Sequence, residues 1–201
     1  MSNPTGAFGL RPIYRINGGN IVTKQVYIAA TYATALFVGS PVMWTAATAD
    51  QDPTGKMPSM KIGAAAAGSI YDGVIHSFEP LQSDLSKLYN PALTARIANV
   101  CMDPNVVYAV RGDGGGTVTK VFPGQNAIMI ATSAGSTVTG LCGWHLDEGT
   151  GTAPTTTQNL TLRIIALQST EDNELGDNAV YEVMLNTAYL AAGSKAGITA
   201  S

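Results

Sequence analysis

The chain has 201 residues, 45% of them hydrophobic and 12% charged, with two cysteines and a net charge of −3. A chain this long buries a core without metals or disulfides, and a charged fraction about half that of ordinary soluble domains suits a surface that ends up against other chains. An acidic balance without a Lys/Arg cluster excludes nucleic acid as a direct partner, and no apolar stretch approaches the ~18 residues of a membrane-spanning helix.

In chain order, Ser2 to Leu10 is small and nearly uncharged, without the cationic and apolar regions of a secretory signal. Residues 1–10 are therefore expected as an extended, mobile arm on a chain that folds in a cytoplasm. Short stretches rich in β-branched and aromatic residues then predict strands at Arg11 to Ile16, Lys24 to Ala29, Leu36 to Trp44 around a break at Gly39 and Pro41, Ser69 to Phe78, and Ile97 to Met102. Asp50 to Pro58 reads as a loop, and Trp44 and Trp144 read as core residues within apolar strand patterns. Gln82 to Tyr89 offers about two helical turns through Leu81, Leu85 and Leu88, boxed in by Pro80 and Pro91.

In Asn105 to Arg111, the alternation of Val106, Tyr108 and Val110 predicts a strand with one dry face. Ala127 to Ala131 is a further short strand, and Glu148 to Gln158 a Gly/Thr-rich loop. Leu160 to Gln168 is apolar on both sides, as expected of a strand covered on its second face as well. Ala179 to Asn186 puts Tyr181, Val183 and Leu185 inward and Glu182 outward; Asn186 to Ala192 could form a short turn, and residues 191–201 read as a flexible tail. Many short strands with turn residues between them predict an all-β fold, a sandwich or barrel of antiparallel strands with little helix and extended, mobile termini. Residues 1–201 are expected as a single unit, with a subdivision near residue 103 as the alternative.

Chemistry-bearing patterns are sparse. His76 and His145 both fall inside predicted strands, and no histidine pair or Cys-x-x-Cys has metal-ligand spacing, so no metal, cofactor or catalytic residue is expected. Cys101 and Cys142 lie in apolar surroundings and read as buried thiols. Ser133 lacks the strand-turn-helix of a nucleophile elbow, and Gly112 to Thr117 lacks the Lys and helix of a phosphate loop. Glu171-Asp172-Asn173-Glu174, with Asp177 close by, does not match a calcium loop and reads as an acidic turn.

Collinear fragments run through most of the chain. They begin with Phe8-Gly9-Leu10-Arg11-Pro12, Gly18-Gly19-Asn20, Val26-Tyr27-Ile28 and Ala35 to Val42, and continue with Gly73-Val74-Ile75, Phe78-Glu79-Pro80 and Asp103-Pro104-Asn105-Val106. Gly140-Leu141, Leu146-Asp147, Leu162-Arg163-Ile164, Asp172 to Gly176 and Val183 to Asn186 follow in the same order. In this the chain resembles a family of tailed-bacteriophage head proteins, departing mainly at Asp113 to Gly116 and Gln51 to Met60.

The resemblance implies a structural virion protein without enzymatic activity. Such a protein decorates the capsid surface and cements it by bridging subunits of the major capsid protein, as a dimer or trimer on the shell. The arm residues Phe8, Leu10, Arg11 and Pro12 are the expected capsid contact, because aromatic and Arg side chains suit an interface anchor. The alternatives are the major capsid protein itself, whose shell fold needs a long spine helix, and an adhesin or carbohydrate-binding head protein.

Overall fold

The computed structural model describes residues 3, 5–116, 120, 122–149, 153–188 and 190. Among them are twelve strands: β1 Arg11–Arg15, β2 Thr23–Ile28, β3 Pro41–Trp44, β4 Met60–Ile62, β5 Gly73–Phe78, β6 Arg96–Cys101, β7 Val106–Arg111, β8 Asn126–Ala127, β9 Met129–Ile130, β10 His145–Leu146, β11 Leu162–Leu167 and β12 Val180–Leu185. All ladders between them are antiparallel. The helix described is a single 3-10 turn, Thr48–Asp50. The all-β fold expected from the sequence is the fold observed; the tail at 191–201 lies outside the described residues.

One five-stranded sheet runs β2-β6-β5-β3-β4 and curls until its edges meet. There Tyr27 N–H donates to Pro58 O at 2.9 Å, and Tyr27 forms a parallel bridge with Ser59. This contact ties the two edges together at one point, and the curled sheet encloses a core of Val26, Ile28, Leu36, Val42, Met60, Ile75, Ala98, Val100 and Met102. Trp44, half-buried, packs on this cluster, whereas Trp144 is buried in the other core.

Between β3 and β4, the Asp52 side chain gathers the tip of the loop. Its carboxylate accepts the Thr54 hydroxyl at 2.6 Å and the N–H groups of Thr54, Lys56 and Met57 at 3.1, 3.0 and 2.9 Å. These donors, the Thr54 hydroxyl first, outweigh desolvation and hold the carboxyl at about 2 against an ordinary 3.8. A depressed value means that this stabilisation is complete above pH 3.8 and is lost as the pH falls toward about 2. Asp52→Asn is therefore expected to flatten the acid limb of stability across that window, read from melting temperatures at successive pH values. An unchanged limb would show that the loop carries no load.

The other five-stranded sheet runs β1-β7-β12-β11-β8. Its inner face joins the first sheet through one cluster in which Tyr71, Val74 and Cys101 meet Val106, Tyr108, Val110, Tyr181 and Val183. β5 shows the alternation at work: Val74 points into this cluster and Ile75 into the core of the curled sheet. The edge strand β1 carries Pro12, an Arg at each end and a bulge between Pro12 and Tyr14, features that blunt an edge against further pairing.

Two expectations are corrected. β7 is buried on both faces rather than one. In register, Tyr14 lies opposite Val107 and Glu182 opposite Ala109, and the Tyr14 hydroxyl donates to Glu182 Oε2 at 2.9 Å, so this bridge roofs the small side chains between them. Gln82 to Tyr89 forms turns instead of a helix, because the Asp84 carboxylate captures the Ser86 N–H and hydroxyl at 3.0 and 2.6 Å. Met60–Ile62, beyond the Asp50 to Pro58 loop and without a predicted element, forms the last strand of the curled sheet.

Candidate functional site

The arm from Asn3 to Leu10 is tied down at two points. Asn3 is buried and donates through Nδ2 to the carbonyls of Glu174 and Asp177, both at 2.9 Å, while its Oδ1 accepts the Glu174 N–H at 3.0 Å. Further along, the backbone crosses the segment ahead of β3 at Gly9 and Gly39, with φ of 66° and 88°. A β-carbon on Gly9 would strike Gly39 O, and one on Gly39 would strike Phe8 O, so both must be glycine for Leu10 N–H to reach Gly39 O at 2.9 Å.

This crossing leaves a groove of about 540 Å³. Val38 and Leu141 are its partly exposed apolar residues, buried Leu10 and Ile75 form its floor, and Phe8, Arg11, Pro12, His76 and Thr139 also face it. Of the four arm residues expected from the sequence, Leu10 is wholly buried in the core and offers no exposed side chain; Phe8, Arg11 and Pro12 remain accessible at the groove. Two guanidiniums flank Phe8, with Arg11 at 5.0 Å and Arg111 at 5.5 Å from the ring centroid. Arg111 is itself buried and outside the lining, so the groove is apolar with one exposed cation, Arg11, at its rim, and no carboxylate is among its lining residues. The contributions of Val38, Ile75, His76, Thr139 and Leu141 were not foreseen; the pair Gly9 and Gly39 was the available signal that two segments cross there.

The other chemistry-bearing residues are scattered. His76 is the bulged, exposed residue of β5, while His145 on β10 has Nδ1 2.8 Å from the Thr132 hydroxyl and is pushed below its ordinary pKa by burial. Cys101 and Cys142 are free, buried thiols pushed up by desolvation. Ser133 packs against Gly143, and no helix follows it. Among the described residues no three His, Cys, Asp or Glu side chains are grouped to hold a metal ion.

Gly112 to Gly116 serves a purpose the sequence did not suggest. Glu148 is 1% exposed, and its carboxylate accepts Gly114 N–H at 2.7 Å and the Tyr181 hydroxyl at 2.9 Å. A β-carbon on Gly112 would fall on that carboxylate. The glycines make room for a buried acid belonging to the fold. Burial raises its pKa, with Asp113 and Asp177 adding to the rise and the two donors opposing it.

The acidic turn before β12 is also a built element. Asn173 donates through Nδ2 to Gln168 O and Val180 O at 2.7 and 2.8 Å and accepts Val180 N–H at 2.8 Å, fixing the turn beneath exposed Glu171, Asp172 and Leu175.

Compared with family models, with curated proteins and with solved structures, the chain matches none.

Proposed function

We propose that this chain is a structural virion protein that decorates and cements a tailed-phage capsid, bridging subunits of the major capsid protein. The supporting observation is a set of exposed apolar side chains on two touching loops. Leu85, Leu88 and Leu93, between β5 and β6, are 76%, 55% and 64% exposed, and Val138, between β9 and β10, is 84% exposed. The loops abut where Gly140 faces Leu88, and Val38 N–H, in the groove wall, donates to Gly140 O at 2.9 Å.

Leu93 carries the point further. It holds φ at 55°, a left-handed conformation that costs a residue with a β-carbon roughly 1–2 kcal/mol, yet its side chain rests in water. Such a side chain gains its burial only when another surface covers it. The alternative of a shell protein with a long spine helix finds no such helix among the described residues.

Capsids lacking the chain provide the test. Purified protein is expected to co-sediment with them, and Leu88→Asp with Val138→Asp to reduce occupancy at least tenfold while leaving the melting temperature unchanged. Wild-type protein that stays in the supernatant would remove the cement reading.

A further inference from the structure

We propose that the arm-walled groove is filled by a second copy of this chain, through the acidic turn at Glu171 to Leu175. The inference rests on the cement reading only in naming how the cementing copies meet one another.

The groove and the turn are complementary. The groove offers the partly exposed apolar residues Phe8, Pro12, Val38 and Leu141, over buried Leu10 and Ile75, with exposed Arg11 at its rim. The turn offers one apolar side chain, Leu175 at 41% exposure, beside exposed Glu171 and Asp172. Leu175 seated on the lining would bring these carboxylates to the Arg11 guanidinium, where opposite charges fix register and discourage other partners. The chain's own tail fits less well, because its charged side chain, Lys195, has the same sign as the rim.

Both surfaces are preformed. Asn173 holds the turn, and the Gly9–Gly39 crossing holds the groove, so little ordering entropy opposes their meeting. They also lie close together: Asn3 is bonded to the turn and Phe8 faces the groove, five residues on, a reach of at most about 18 Å. Two features so near each other on one surface allow a twofold pair in which each copy gives its turn and receives its partner's, doubling the contact area.

Sedimentation velocity of the full chain, without capsids, tests the contact. A concentration-dependent dimer is expected, with Arg11→Glu and Leu175→Asp each weakening association at least tenfold while circular dichroism and melting match wild type. A chain carrying Arg11→Glu, Glu171→Arg and Asp172→Arg together should regain the dimer. Wild type that stays monomeric up to about 1 mM overturns the proposal, and so does an Arg11→Glu chain that associates normally. Association lost on removing residues 191–201, with the turn intact, gives the groove to the tail and overturns it equally. Capsid co-sedimentation of the same proteins separates the two readings: a dimer that ignores capsids defeats the cement function and spares this contact, and a monomer that binds capsids does the reverse.

Discussion

Gly112→Ala is expected to lower the unfolding free energy by about 3 kcal/mol, a large loss for the addition of one methyl group. The backbone at Gly112 lies outside the left-handed region, so the cost is steric: the new carbon lands on the Glu148 carboxylate. That carboxylate cannot step aside without giving up Gly114 N–H and the Tyr181 hydroxyl. Glu148→Ala alone strands those two donors in a buried site, at about 1–3 kcal/mol. The two substitutions together should cost well under their sum, because the second clears the space the first invades. Urea denaturation of the four proteins measures the coupling, and strictly additive losses would show that Gly112 and Glu148 do not confront each other.

The same acid gives the fold a pH dependence opposite in sign to that of Asp52. A carboxyl raised above its ordinary 4.5 holds its proton more tightly in the folded chain than in the unfolded one. Its stabilising share is then complete below pH 4.5 and declines as the pH rises through the folded value. Glu148→Gln keeps an acceptor for Gly114 N–H and removes the titration, so its stability should no longer decline over that range.

What the sequence disclosed, and what it hid, divides along local against long-range causes. The strands β2, β6, β7, β11 and β12 were legible because their signal, apolar alternation in β7 and β12 and β-branched, aromatic or apolar content in the others, is written in consecutive residues. The second dry face of β7 was not, because its cover is a hydrogen bond between Tyr14 and Glu182, 168 positions apart. The meeting of the sheet's edges escaped for the same reason: Tyr27 meets Pro58 only after three intervening strands have been placed between their edges. In the groove, Phe8, Leu10, Arg11 and Pro12 stood out as an anchor, yet alternation could not say that Leu10 turns inward while its neighbours wall a cavity. Glu148 was hidden most completely, since a Gly-rich run and a distant acid carry no mutual signal until the fold brings them together.

Arg96→Ala should cost about 3–4 kcal/mol and lower capsid occupancy with it. Arg96 is 8% exposed, and all three of its guanidinium contacts end on carbonyls of the loop between β5 and β6: Nε on Glu79 at 2.7 Å, Nη1 on Tyr89 at 2.6 Å and Nη2 on Lys87 at 3.1 Å. The Phe78 ring lies 5.1 Å from its centre and covers one face of the plane. This loop has no helix or strand of its own; the Leu36–Asn90 bridge and the bond from Leu93 N–H to Tyr32 O hold its far end, and the fork holds the stretch bearing Leu85 and Leu88 against the body. A lysine in its place carries the charge on one atom and cannot span three carbonyls in fixed directions. Arg96→Lys is therefore expected to lose about 2 kcal/mol, and to lose capsid occupancy more steeply than a global loss of that size explains, since the loop slackens before the sheets do. Amide hydrogen exchange separates the two effects: protection should fall first at residues 84–93 and only later in β6 and β7. Equal protection in both regions, or an Arg96→Lys protein as stable as wild type, would show that the backbone bonds of Asn90 and Leu93 hold the loop without this guanidinium.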